Sequence, residues 1–216
     1  MDSHLDEAEK IARDYDESAC EFCESYKNSG LSRSSRILLD VLAEEGVKDR
    51  STLELGCGAG GFSMELINRG AESAVGIDLS PEMVKVATEL SHASGFGDRA
   101  KFEQGNAATA SLPPSDVVIM DKVICCYSDL AALLRNATGA SRRLLGFVAP
   151  RDEGVVKWPL RFGVWIENLV QKRRHSILFY VHSLNTVDKT LRDSGFVRQK
   201  KRGSRFWLVL LYKRQQ

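Results

Sequence analysis

Nine residues, Leu53-Glu-Leu-Gly-Cys-Gly-Ala-Gly-Gly61, constrain this chain more than any other stretch. Thr52-Leu-Glu-Leu reads as a short strand and residues 61–69 as a helix, so glycines crowd the turn between them. Glycine takes left-handed backbone angles without strain and leaves room for a ligand against the main chain. The unpaired N–H groups that open the next helix favour polar or anionic groups. Gly56, Gly58 and Gly61 also satisfy the dinucleotide-binding spacing G-x-G-x-x-G, which by itself is a weak signal.

The flanking pattern tells which fold holds that turn. Residues 5–27 read as an acidic amphipathic helix, with Leu5, Ala8, Ile11, Ala12, Tyr15, Ala19 and Phe22 at spacings of three and four. A second helix spans 33–46 and stops at Gly46. Strands at 52–55, 74–78, 100–104, 116–120 and 143–148 then alternate with helices at 61–69, 81–93 and 130–141. Such alternation builds βαβ units on a parallel sheet. After residue 150 the rhythm changes to a helix at 157–175, an apolar run at 177–181 and a helix at 185–194. Two strands, 196–201 and 206–213, close the chain around an Arg202-Gly-Ser turn. The pattern predicts a Rossmann-like three-layer α/β sandwich, its mostly parallel seven-stranded sheet ending in an antiparallel hairpin.

Composition narrows the class. Hydrophobic residues make up 43% and charged residues 27% of the 216, the balance of a globular chain rather than a disordered or fibrous one. The longest apolar run, 206–212, falls far short of the ~20 residues that span a bilayer, so no membrane span is expected. The first residues are acidic and lack the apolar stretch of a signal peptide. Five cysteines (20, 23, 57, 125 and 126) form no disulfide framework, and together these features predict a cytoplasmic protein. Cys20 and Cys23 share a helix face, but further ligands at zinc spacing are missing, so no metal is predicted. Charge is uneven: residues 1–50 carry net −6, residues 51–150 net −3, and residues 151–216 net +10. A basic C-terminal third suits an anionic substrate, nucleic acid, a membrane surface or simply a solvated face.

Two residues redirect the glycine motif. Glu54 precedes Gly56 by two positions, and the second strand ends in Asp78, where a carboxylate can accept ribose hydroxyls. Glu-x-Gly-x-Gly-x-Gly, the acid closing strand two and the terminal hairpin resemble class I S-adenosylmethionine-dependent methyltransferases. That resemblance implies one domain: a helical cap at 1–46, a cofactor-binding core at 50–150, a lid insert at 151–182, and a C-terminal helix and hairpin at 183–216. It implies S-adenosylmethionine as cofactor and S-adenosylhomocysteine as product. Gly56, Cys57 and Gly58 would lie along the methionine and ribose, with Glu54 beneath them, and Asp78 would bind the diol. Leu79 and Met83 would pack on the adenine, and Asn106, beside Ala107, would meet its amino group. Asp121, Lys122 and Val123 would lie near the methyl. Tyr15 and Arg33 are candidates for the methionine end, or else packing and surface residues.

The stretch 121–150, with Tyr180-Val-His-Ser183 ahead of the last helix, is similar to magnesium-protoporphyrin IX methyltransferases and their relatives. The resemblance implies O-methylation of a small molecule, on a carboxylate or a hydroxyl, with a tetrapyrrole-like acceptor as one option. A hydroxyl acceptor needs a base and a carboxylate does not. His182 is the candidate base, or a structural histidine bonded to backbone, and Tyr127 is a candidate for the acceptor pocket. Residues 157–181, with an aromatic face, are expected either to cover that pocket or to pack on the sheet edge. An RNA or protein methyltransferase using the basic third, and a non-catalytic cofactor-binding protein, stay as alternatives. The small-molecule reading expects no specific nucleic-acid binding, and the sequence assigns no oligomeric state.

Overall fold

The structure is a computed structural model that describes residues 2–174 and 176–215, with side chains from Glu7 onward. The side chain of Leu5 and the whole of His175 lie outside the described residues. The chain begins with two helices, α1 (Asp2–Ser29) and α2 (Arg33–Glu44). The alternating part follows as β1 (Ser51–Leu55), α3 (Gly61–Asn68), β2 (Ser73–Asp78), α4 (Pro81–Ala93) and β3 (Ala100–Gln104). It continues with β4 (Ser115–Asp121), α5 (Leu130–Ala140) and β5 (Ser141–Pro150). The last part holds α6 (Lys157–Arg174), α7 (Leu184–Asp193), β6 (Phe196–Gly203) and β7 (Trp207–Arg214).

The seven strands form one sheet in the order β3-β2-β1-β4-β5-β7-β6. The first five are parallel, β7 runs antiparallel to β5, and β6 runs antiparallel to β7. Side-chain alternation along β4 divides the core into two layers. Val118 and Met120 pack toward α5 and α7 on one face, while Val117 and Ile119 pack toward α2 and α3 on the other. Gly146 lets α2 approach β5 closely, because a Cβ there would sit 3.0 Å from Leu38 Cδ1. β1 lies between β2 and β4, so strand order reverses there and a crevice opens beyond the strands' C-terminal ends.

The expected elements are present, with differences that have local causes. The fifth strand runs 141–150 rather than 143–148, because α5 ends at Ala140 and the chain passes directly into the sheet. The final hairpin is longer than expected: β6 continues through Gly203, and the turn closes with the Ser204 N–H donating to the Trp207 carbonyl at 2.8 Å. The apolar run 177–181 joins no strand. It is held by Asn168 of α6, which bonds both the N–H and the carbonyl of Phe179, and by the Tyr180 N–H on the Cys125 carbonyl at 2.7 Å.

Candidate active site

The glycine loop leaves β1 and turns beneath β2. The N–H groups of Gly56 and Cys57 both donate to the Ile77 carbonyl, at 2.7 and 3.1 Å. Gly56 (φ +69°), Gly58 (φ +51°) and Gly60 (φ +76°) take left-handed angles. Their surroundings differ. A Cβ on Gly56 would lie 2.4 Å from Val123 Cγ2, whereas one on Gly58 would meet nothing within 4 Å. Gly56 is needed for packing; Gly58 is open toward the crevice.

Three carboxylates surround this loop. Asp78 Oδ2 accepts the Gly58 N–H at 2.8 Å and Oδ1 accepts the Ser80 N–H at 3.0 Å. Burial raises the Asp78 pKa even against those hydrogen bonds. Glu54 is buried and accepts Ser63 Oγ at 2.6 Å. Burial pushes its carboxyl up to about 8, opposed by Ser63 and helped by the nearby charges of Asp121 and Asp78. Asp121 Oδ2 accepts Ser35 Oγ at 2.5 Å, while its buried Oδ1 has no hydrogen-bond partner. Lys122, in a left-handed conformation (φ 62°), puts Nζ 3.7 Å from that oxygen and donates to Ser32 and Ser35. A buried carboxylate oxygen without a donor is costly, so it marks a place for a ligand's donor.

These groups open on a cavity of about 590 Å³. Its floor is the glycine loop with Glu54, Asp78, Asp121 and Val123; Ile77, Leu79, Met83 and Ala107 form an apolar slot beside Asp78. α1 covers it with Ile11, Tyr15, Phe22 and Tyr26, the Tyr26 ring lying so close over Gly61 that a Cβ there would be 2.6 Å away. The lining also includes Leu160, Val164, Phe179, Tyr180 and Trp207, while Tyr127 lies beside Ala107. Tyr15 reaches Cys126 Sγ at 3.7 Å, and burial raises its phenol pKa, as it does that of Tyr127.

The cavity therefore gathers Tyr15, Glu54, Gly56, Cys57, Gly58, Asp78, Leu79, Met83, Ala107, Asp121, Lys122, Val123 and Tyr127 from the sequence expectations. Three expected residues lie elsewhere. Arg33 is exposed on α2, because the buried face there is carried by Ser34 and Ser35. The Asn106 side chain turns back to accept the Ala108 N–H at 2.9 Å, a local turn that outcompetes a ligand. His182 Nε2 donates to the Tyr127 carbonyl at 2.9 Å and does not line the cavity, and burial lowers its pKa. The expected lid is also reversed in orientation: Leu160 and Val164 of α6 face the cavity, while the aromatic residues Trp158, Phe162 and Trp165 are exposed. Sequence reasoning missed Ser35, Tyr26, Trp207 and the α1 acids that fasten the cover. Ser32-Arg-Ser-Ser signals only a helix cap, and Tyr26 only a helix face. Among the described residues no group of three or more possible metal ligands exists.

A glycine loop at the reversal of strand order, an acid closing β2 and an antiparallel terminal pair define the class I S-adenosylmethionine-dependent methyltransferase fold. Residues 47–151 match a family described as a methyltransferase domain. It is 32% identical over 110 residues to methyltransferase ungE' of Aspergillus campestris, which covers 45% of this chain and 32% of that one. It is 29% identical over 91 residues to the ribosomal protein L11 methyltransferase of Haemophilus influenzae, covering 42% and 30%. The chain spans about a third of the length of these curated relatives. In fold it is similar over the whole of both chains to magnesium protoporphyrin IX methyltransferase from Synechocystis PCC 6803, solved with bound S-adenosylmethionine, at 20% identity and a TM-score of 0.71.

The residues present fit that cofactor. The Asp121 oxygen that accepts no hydrogen bond and the acidic floor suit its ammonium and sulfonium cations, and Gly58 leaves the space that a Cβ would fill. The second lone pairs of Asp78 suit a diol, and the slot of Leu79, Met83 and Ala107 suits a flat apolar ring.

Proposed function

We propose that the protein transfers the methyl group of S-adenosylmethionine to an oxygen of a small, largely apolar acceptor, leaving S-adenosylhomocysteine. The observation that carries this reading is the apolar lining that Leu160, Val164, Phe179, Tyr180 and Trp207 give the cavity. A protein or RNA substrate needs an open cleft bordered by cations, and Lys122 is the one Lys or Arg among the described residues lining this cavity. Four cations of the C-terminal hairpin are occupied elsewhere. Lys200 and Arg202 pair with Glu44, Lys201 with Glu153, and Arg198 with Asp188.

The cofactor supplies an electrophilic methyl on a sulfonium, and the protein's task is alignment in a site emptied of water. Asp78, Asp121 and the glycine loop bind and orient the donor. Phe179 and Tyr180 exclude water at the acceptor end. Among the described residues the cavity lining includes no histidine, which favours an acceptor that is already a carboxylate over one that must lose a proton. Lys122, with Nζ 5.9 Å from the Trp207 ring centroid, puts a cation beside that end. The buried Tyr127 ring serves as a wall, and His182 is a positioning residue that holds the Tyr127 backbone.

The test is transfer of a labelled methyl to a panel of apolar carboxylic acids, phenols and alcohols, run beside protein and RNA fractions. Base-labile label in the organic extract is expected. Label found only in protein or RNA overturns the acceptor class, and tight cofactor binding with no labelling of anything overturns the enzymatic reading.

A further inference from the structure

α6 is an amphipathic helix mounted the wrong way round for water. None of its residues is buried. Its inner face is fixed by Leu160 and Val164 at the cavity and by Asn168 on the Phe179 backbone. Its outer face carries Trp158, Phe162, Trp165, Ile166, Leu169 and Val170 at spacings of four, three, one, three and one, which is one helical stripe. The three aromatic side chains are 69%, 61% and 58% exposed. Phe206, also exposed, lies against Pro159 and Gly163 and widens the patch. A contiguous apolar face of this kind marks an interaction surface rather than ordinary surface composition.

Charge selects the occupant. α6 carries Lys157, Arg161, Lys172, Arg173 and Arg174 against one acid, Glu167. Arg161 is held by Asp152 at 2.8 Å, whereas Lys172, Arg173 and Arg174 have no ion pair among the described residues. Stacking with a second copy would bring the cationic last turn against itself in the parallel arrangement, and against Lys157 and the already paired Arg161 in the antiparallel one. A flat apolar stripe with tryptophans, and a cluster of unpaired cations at its end, matches an anionic bilayer interface. We propose that α6 docks flat on anionic lipid, with its aromatic face among the acyl chains and Lys172–Arg174 at the headgroups. The inference rests on α6 alone and not on the acceptor assigned above. If both hold, α6 sits between the membrane and the acceptor end of the cavity that its inner face lines.

The experiment is flotation of the full chain with vesicles of phosphatidylcholine alone or with phosphatidylserine, at low and high salt. Binding to the anionic vesicles that weakens with salt is expected. The triple change Lys172→Gln, Arg173→Gln, Arg174→Gln should weaken it about a hundredfold, on the general scale of surface cations at anionic lipid. The pair Phe162→Ser, Trp165→Ser should abolish it. These side chains are exposed, and unchanged melting and cofactor affinity would show that the variants fold. No flotation with anionic vesicles at low salt, or flotation indifferent to the Phe162 and Trp165 changes, overturns the proposal. So does a dimer in solution that hides α6 and ignores lipid.

Discussion

On the cavity floor, the loop is held by main-chain bonds: Gly56 and Cys57 to Ile77, and Gly58 to the carboxylate that ends the neighbouring strand. The cover across from it is held by acidic side chains of α1. Asp14 accepts the Ile177 N–H at 2.7 Å and the Ser176 hydroxyl; Glu7 accepts the Tyr180 hydroxyl at 2.9 Å; Asp16 accepts Ser80 Oγ at 2.5 Å. The floor depends on backbone geometry, which a single Cβ can ruin. The cover depends on a few charge-assisted bonds at its edges, each of which can open without unfolding the sheet. A site that must bind a donor rigidly and admit an acceptor needs both kinds of construction.

The largest effect should come from the floor. Gly56→Ala adds a left-handed alanine, costing about 1–2 kcal/mol, and an overpacked contact with Val123, costing about 1–3 kcal/mol more. Thermal melting should show that loss together with failure to bind cofactor. Gly58→Ala should incur only the backbone cost while still blocking the cofactor. Equal destabilisation by the two changes would show that the loop is not packed on Val123. Next in size, Asp78→Ala should weaken cofactor binding roughly tenfold to a hundredfold in calorimetry, through loss of about two hydrogen bonds. Unchanged affinity would remove Asp78 from the site.

Floor and cover should also respond oppositely to pH. Glu54 is raised from an ordinary 4.5 to about 8 by burial, so between those values the folded state binds the extra proton. Stability from this group is complete below about 4.5 and falls as pH rises through about 8. Asp14 behaves the other way: burial lifts it, but bonds from Ser176, Ile177 and Arg13 hold it below its ordinary 3.8. Its contribution is present above 3.8 and is lost as pH falls through the lowered value. Melting curves from pH 5 to 9 should therefore decline for the native chain and flatten for Glu54→Gln, at about 2–4 °C per kcal/mol for a chain of this size. A Glu54→Gln profile as steep as the native one would refute the assignment.

Smaller still, Asp14→Asn should cost about 1 kcal/mol, the size of one hydrogen bond at a partly exposed site. It should raise the KM for acceptor while leaving cofactor affinity alone; the reverse pattern would mean that α1 closes on the donor instead. The smallest effect belongs to His182→Ala. A general base removed costs about 10²–10⁴ in rate, whereas a histidine that only holds the Tyr127 carbonyl should cost less than about tenfold. A loss in the larger range would return His182 to the chemistry.

What could be read from the sequence was local. The glycine turn, Glu54 and Asp78 stand within 25 residues of one another, and each strand or helix announces itself through its own period. Those signals give the sheet, its switch point and the floor, because neighbouring residues decide backbone angle and side-chain alternation. They do not say which end of a side chain's reach is already taken. Asn106 closes its own turn, His182 is spent on a carbonyl, and Arg33 lies two positions from Ser35, which bonds Asp121. Nor does an amphipathic period tell inside from outside. The aromatic stripe of α6 reads as the face to bury, yet contact with the cavity and with Phe179 turns the opposite face inward. That choice belongs to the tertiary structure, since it depends on elements more than a hundred residues apart meeting at one edge of the sheet.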